Sequence, residues 1–410
     1  MKIRRQVGYC SAITAVVFGV VAVVCAESND VHEEKKSLDG SAIRTHGGSA
    51  ESSGHGNHQE NASPVVKVKR QSLSDNDPRG AVDLTVCSQN LKLFGTFLET
   101  KKRNHLYSEA AHELKIEALV ERFMVARCDV IAVQELMGRG KAGAEASLGE
   151  LATRLREKTN RIFSVVVAPP IGGDMTNGFL VARDRASVQQ VFPYARVELP
   201  KINEKARPRM FSRMPFEVQL VVNAREGGRR KVVTLVNFHF KSKRGGRDDP
   251  SGLEWETFRM EMAEALRRIV EQRHREAFGS GESLLLLLGD RNSNYDVASA
   301  RILEGGIDLS FFAQEGACRL SKRGVPLCKK HQRRPQKLFS VLTGDQMLKK
   351  YPGTFSYKKQ YSWLDDILVP QETLPAAWKT ATSEGSFNSG VMYTPIEASD
   401  HALIYVSLNW

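Results

Sequence analysis

Residues 284–292 read LLLLLGDRN. The short, fully apolar run Leu284–Leu288 has the pattern of a strand buried on both faces, at the centre of a sheet. Gly289 permits a tight exit from that strand. The polar side chains that follow, Asp290 and Asn292, then face one concave end. There an Asp can orient an attacking water and an Asn can donate to a phosphate oxygen. Gly-Asp also marks ordinary turns, so the stretch takes its meaning from the rest of the chain.

Elsewhere, polar residues recur at the ends of apolar runs. Leu84–Ser88 reads as a first strand and leads to Asn90. Ile116, Leu119, Val120, Phe123 and Met124 recur at helical spacing, which predicts an amphipathic helix. Asp129–Val133 reads as a strand ending at Gln134 and Glu135. Phe163–Ala168 and Gly178–Arg183 are further strands, and Phe216–Asn223 with Lys231–His239 form a hairpin around Glu226, Gly227 and Gly228. Met262, Leu266, Ile269 and Val270 mark a second helix. Ile367–Val369 and Ala402–Ser407 supply late strands, preceded by Asp365 and by Ser399, Asp400 and His401. The pattern is α/β, and this number of strands suits two sheets packed face to face and covered by helices.

The polar residues match one chemistry. A phosphodiester is anionic and repels nucleophiles, so its hydrolysis needs charge neutralisation, an activated water and a protonated leaving oxygen. Glu135, at the end of a buried strand, can hold a hard divalent cation, and Asn90 can add a neutral oxygen or orient that carboxylate. Asp365 is a candidate orienter of His401, and Asp400 is then free to serve the metal side. Asn237 and His239 alternate on one strand and so face the same side, where both can contact the scissile phosphate. Arg213 can grip phosphate oxygens, although its neighbourhood holds many arginines.

Composition bounds the partner. The formal charge is +12 over 410 residues, a balance that favours a polyanion. Lys241, Lys243, Arg244 and Arg247 follow the His239 strand. Between Cys318 and Lys337 lie eight basic and no acidic residues, a candidate loop for tracking phosphates without reading sequence. At the N-terminus Lys2, Arg4 and Arg5 precede an apolar run to Ala26, the pattern of a secretory signal peptide over 1–26, with an uncleaved anchor as the alternative. Residues 27–80 hold no Phe, Tyr or Trp and are expected to form a disordered linker. The catalytic domain is expected over 81–410. Export permits disulfides: Cys318 and Cys328 are the expected pair, whereas Cys87 and Cys128 are expected as packed thiols.

From about Val82 to the C-terminus the chain resembles the endonuclease/exonuclease/phosphatase superfamily, the fold of deoxyribonuclease I, and in particular its secreted bacterial nucleases. NFHFKSKRGG, the arginine-bearing helix before LLLGDRNSNYD, and SYKKQYSWLDDIL carry the resemblance. It implies a four-layered α/β sandwich with the site at one end of the two sheets. It also implies Glu135 as principal metal ligand with Asn90 and Asp400 near the cation, and Asp290 and Asn292 positioning water and phosphate. His239 and His401 would be the acid/base pair, with Asp365 behind His401. Two positions depart from the family pattern: Arg291 replaces an aromatic residue, and Asp366 stands where His or Tyr is common. No carboxylate partner for His239 is evident; Asn177 lies in the region where one would be sought.

These readings lead to a secreted or periplasmic nuclease, cutting DNA or RNA within the strand with Mg²⁺, or with Mn²⁺ or Ca²⁺ in its place. No stable protein partner is expected, and membrane contact only through an uncleaved anchor. The alternatives are a phosphodiesterase of the same fold acting on sphingomyelin or inositol phosphates, and an inactive secreted nucleic-acid-binding protein.

Overall fold

The computed structural model describes residues 82–223, 230–243, 253–280, 282–313, 317–329, 337–343, 345–378 and 388–410. The expected signal peptide, the expected linker and the 226–228 turn lie outside these residues. Strands β1 (Leu84–Phe94), β2 (Val130–Met137), β3 (Phe163–Val167) and β4 (Met175–Ala182) belong to a first sheet. Strands β5 (Ala186–Pro193), β6 (Phe216–Val222), β7 (Lys231–His239) and β8 (Ser283–Asp290) belong to a second. β9 (Cys318–Leu320) and β10 (Pro326–Cys328) pair as a separate ribbon, as do β12 (Phe355–Tyr357) and β13 (Gln360–Ser362). β11 (Leu338–Ser340) and β14 (Asp365–Pro370) join the second sheet, and β15 (Ser389–Met392) and β16 (Leu403–Leu408) the first.

Each large sheet has six strands, in the orders β15-β16-β1-β2-β4-β3 and β11-β14-β8-β7-β6-β5. A single parallel pair lies at the centre of each, β1 with β2 and β7 with β8; the other pairings are antiparallel. A parallel pair requires a crossover. After the short α1 (Phe97–Arg103), helix α2 (Glu109–Val125) supplies it in the first sheet, and α4 (Glu256–Arg273) in the second; between them in sequence lies α3 (Gly140–Thr159).

Side-chain parity explains the layers. Along β8, Leu284, Leu286 and Leu288 enter the core shared with the first sheet. Leu285 and Leu287 instead face the core that includes Met262, Leu266 and Val270 of α4. In the first sheet Val130 and Ala132 turn inward, whereas Ile131 and Val133 pack on a third core with Ile116, Leu119 and Phe123 of α2 and Leu148 and Leu151 of α3. Two sheets back to back with helices outside each make the expected four-layered α/β sandwich. A strand buried on both faces must be apolar at every position, which is why LLLLL is central.

Local signals set the helix ends. Ser108 caps α2 by accepting from Ala111 N at 3.1 Å. The helix stops where Arg127 turns left-handed and Cys128 N reaches back to Phe123 O at 3.0 Å. Among the elements that escaped the sequence reading are β5 and α3. Strand β5 is an edge strand with mostly exposed side chains, so it carries little apolar signal. Helix α3 buries Ala144, Leu148, Leu151 and Leu155, a helical spacing diluted by alanines and glycines.

Cys87 and Cys128 form a disulfide, which corrects the packed-thiol expectation. β1 and β2 lie side by side, with Val86 opposite Val130, so the residues flanking that pair are within bonding reach. Cys318 and Cys328 are also bonded.

Candidate active site

The second sheet sets three chemical groups in one row. In the strand register His239 stands beside Asp290, and Asp290 beside Asp365. Because all three occupy equivalent places on neighbouring strands, their side chains share a face. That face is the one turned toward the first sheet, as Leu288 two residues earlier is. Gly289 makes the row possible. Its φ is +148°, and a Cβ there would lie 1.9 Å from Phe238 O, so no other residue lets β8 run this close to β7.

The first sheet answers with Asn90 and Glu135, each at an irregularity. The β1–β2 register shifts between Asn90 and Phe94, and the β2–β4 register shifts between Val133 and Leu136. Glu135 is left-handed with φ 56°, and so are Lys92 and Leu93 at 52° and 54°. Such bulges re-aim a side chain. Here they let Leu93 N donate to Glu135 Oε2 at 3.0 Å and Lys92 N donate to Asn90 Oδ1 at 2.9 Å. Asn90 Nδ2 then bridges the sheets, donating to Glu135 Oε1 at 3.2 Å and to Asp290 Oδ2 at 3.0 Å.

Two imidazoles approach the same carboxylate oxygen. His239 Nε2 lies 3.6 Å from Asp290 Oδ2 and 3.9 Å from Glu135 Oε1. His401 Nε2 lies 3.9 Å from Asp290 Oδ2, and its Nδ1 is held by Asp365 Oδ2 at 2.8 Å. Their charge states differ. Burial opposes a proton on His401, but Asp365 and Asp290 outweigh it and raise its pKa well above the ordinary imidazole value. For His239 burial, Arg213 and His401 all act downward. It is therefore neutral, and its contacts with the carboxylates are not ion pairs. Among the described residues its Nδ1 is buried without a hydrogen-bond partner, as is Oδ1 of Asn177. Asp290 itself is pushed upward, chiefly by burial.

Three residues, Asn237, Asn292 and Asp400, stand otherwise than expected. Asn237 is fully buried and accepts from Gln134 Nε2 at 2.8 Å. Its amide donates to Val133 O and Gly178 O at 2.9 and 3.0 Å. It fastens one sheet to the other and has no hydrogen left for phosphate, although it faces the same side as His239. Asn292 spends both amide hydrogens on Asp290 Oδ2 and Phe240 O, at 3.0 and 3.2 Å, so it steadies Asp290 and does not reach for substrate. Asp400 stands outside the carboxylate clusters. Its carboxylate lies 3.5 Å from Lys92 Nζ. Arg213 binds Phe240 O at 3.1 Å and Met175 Sδ at 3.0 Å; Glu135 and Asp290 act on its charge, which places it beside the site.

The two departures from the family pattern explain each other. Arg291 and Asp366 are both fully buried on the back of the row, 2.7 Å apart. The contact is close but is not aligned as a hydrogen bond. Ser340 Oγ and Ile367 N hold the other oxygen of Asp366, at 2.6 and 2.8 Å. Sequence reading also missed the supports of His401. Arg122 of α2 donates to its carbonyl at 2.7 Å. Thr354 Oγ1 accepts from Asp365 N at 2.9 Å, and the Phe355 ring lies 4.8 Å from the imidazole. An arginine on the buried face of an apolar helix was the one signal available.

The donor set suits a hard divalent cation. One ligand atom each from Glu135, His239 and Asp290, and likewise from Asp290, Asp365 and His401, lie within 4.8 Å of one another. Carboxylates crowded into a buried cleft repel, and a divalent cation relieves that repulsion. Glu135 and Asp290 fit as its ligands, with His239 presenting a neutral nitrogen. Asn90 turns its amide nitrogen to them and orients the carboxylates.

No protein family model matches the sequence, and no curated protein matches it. Among solved structures the chain is similar to the catalytic domain of human Nocturnin with bound sulfate, at 14% identity and TM-score 0.44, covering 80% of this chain and 94% of that one. It is similar to ANGEL2, a 2',3'-cyclic phosphatase, at 15% identity and TM-score 0.45, covering 80% and 95%. It is also similar to an endonuclease/exonuclease/phosphatase family protein from Bacteroides thetaiotaomicron, at 11% identity and TM-score 0.41, covering 79% and 97%. All three are distant likenesses, and the roles of the residues rest on the geometry above.

Proposed function

We propose that this chain is a secreted, divalent-cation-dependent nuclease that hydrolyses phosphodiester bonds within DNA strands. The observation that carries the reading is the meeting at Asp290 of a second carboxylate, Glu135 of β2, and two differently held imidazoles: His239 of β7, and His401 just before β16, which Asp365 holds. Hydrolysis needs that asymmetry. Asp290, steadied by Asn90 and Asn292, is placed to take a proton from an attacking water. His401, kept charged by Asp365, is placed to give one to the leaving oxygen. Neutral His239 and the Arg213 guanidinium flank the phosphate. A cation held by Glu135 and Asp290 would offset the charge of the phosphate.

The basic balance of the chain supports a nucleic-acid substrate. The signal-peptide pattern and two disulfides support export. A second reading, hydrolysis of sphingomyelin or another phospholipid headgroup ester, is favoured by one feature. Leu98 and Leu106 are 68% and 95% exposed in the segment that follows Leu93.

Plasmid DNA incubated with the protein in Mg²⁺ should be nicked and then linearised. EDTA and His401→Ala should each stop the reaction. Phosphocholine release from sphingomyelin with intact plasmid would favour the second reading, and DNA binding without turnover of either substrate would end both.

A further inference from the structure

The β9–β10 ribbon lies outside the chemistry described so far, and its construction is unusual. Its strands are three residues each, paired with Cys318 opposite Cys328 and closed by the disulfide between them. Cys318, Leu320 and Cys328 pack on the core beneath α4. By alternation Arg319 and Leu327 point away from that core, and both are exposed. At the tip, Ser321 holds the turn by accepting from Arg323 N and Val325 N, at 3.3 and 3.0 Å. Gly324, with φ +79°, rests against Leu253 and Val297. The ribbon is thus anchored on one face, and it presents Arg319, Lys322, Arg323 and Lys329 on the other.

None of these four cations forms an ion pair among the described residues. Some cations elsewhere on the surface do, among them Arg154 with Glu113, Glu117 and Glu157, Arg161 with Asp129 and Asp184, and Arg103 with Asp174. A set of unneutralised cations on a rigid support matches a line of phosphates better than it matches solvent. The ribbon is also tied to the site. Gly324 O accepts from Ala298 N at 2.9 Å, at the end of the loop that leaves Asp290. Val297 is seven residue steps from Asp290, a chain path that cannot exceed ~24 Å.

We propose that the β9–β10 ribbon is a second phosphate-binding element, which grips the nucleic-acid backbone beyond the bond that is cut. The partner class rests on the nuclease reading above. The contacts are to phosphates, so they add affinity without sequence preference. At ~3.4 Å per base pair, the limit on that chain path sets Val297, where the ribbon tip rests, within roughly seven base pairs of Asp290.

The test is equilibrium binding of a fluorescent duplex of about 30 base pairs to the full chain in EDTA, over a range of salt concentrations. The comparison is between the parent and the R319Q/K322Q/R323Q/K329Q variant. Each phosphate contact contributes about 0.9 to the slope of log affinity against log salt, so the variant should be shallower by roughly 2 to 4. Its melting temperature should be unchanged, since the four side chains are exposed. An unchanged slope overturns the proposal. So does a variant that loses only its binding to phosphatidylglycerol vesicles, because the surface would then serve a membrane. Cutting in Mg²⁺ is scored separately. A parent that cuts with a slope insensitive to the four substitutions keeps the nuclease reading and loses this one. A parent that binds through the ribbon and never cuts does the reverse.

Discussion

The two sheets bring their residues to the site by different means. In the first, Asn90 and Glu135 sit at register shifts among left-handed residues and are held by backbone amides. In the second, His239, Asp290 and Asp365 lie on an unbroken ladder flanked by charge pairs: Asp365 with His401 in front, Arg291 with Asp366 behind. The first half depends on backbone conformation and the second on electrostatics. Substitutions should therefore affect them differently.

The largest effect belongs to the charge-held half. Asp365→Asn removes the group that keeps His401 protonated and fixes its tautomer while leaving the shape intact. Turnover of duplex DNA in Mg²⁺ should fall on the order of 10³- to 10⁴-fold with little change in KM. A loss under tenfold would mean that His401 does not depend on Asp365.

Behind the row, Arg291→Met leaves Asp366 buried without its countercharge, and urea unfolding should register a loss of about 3–5 kcal/mol. Adding Asp366→Leu should restore most of it, since a well-packed apolar pair can replace a buried ion pair. No recovery in the double variant would assign the loss to packing instead of charge. Glu304 sharpens the same point. Its carboxyl lies 3.7 Å from Arg291, and burial pushes its pKa up to about 7. A carboxyl raised in the folded state binds its proton more tightly there than in the unfolded chain. Stability should therefore fall as pH rises from about 4.5 to about 7, by at most roughly 3 kcal/mol. Glu304→Gln should match the parent at pH near 5 and melt higher above pH 7. A parallel pH dependence in both proteins would exclude Glu304 as the source.

Much of this was legible in the sequence, and the limits have a physical cause. Periodicity reports which face of an element a residue occupies and where the strand ends. It therefore located Asp290 and Asp365 at strand ends and His401 just ahead of one, whereas Glu135 lies within β2, which runs on to Met137. Periodicity does not report what lies opposite. Asn237 and His239 share a face, yet one meets Gln134 across the sheets and the other meets Asp290. Arg291 and Asp366 looked like two unrelated departures until the β8–β14 register set Asp366 against Gly289. Cys87 and Cys128 could be paired only once β1 and β2 were known to be neighbours. Arg122, Thr354 and Phe355 support His401 from three separate segments, and no local pattern marks a residue whose partner is a distant carbonyl.

The smallest effect tests the backbone-held half. Leu93 is left-handed and 45% exposed, so its side chain gains little from burial while its backbone is strained. Asn tolerates this conformation better than Leu because its short polar side chain can bond locally. Leu93→Asn should therefore raise unfolding free energy by about 0.5–1 kcal/mol. The amide that reaches Glu135 Oε2 belongs to the backbone and is retained, so turnover should stay within about twofold of the parent, well inside the 1.4 kcal/mol that a tenfold change represents. Stabilisation without loss of activity would mean that the turn's geometry, and not its strain, places Glu135. Stabilisation with a large fall in turnover would mean that the exposed leucine itself meets the substrate, and a loss of stability would mean that this turn holds no strain to release.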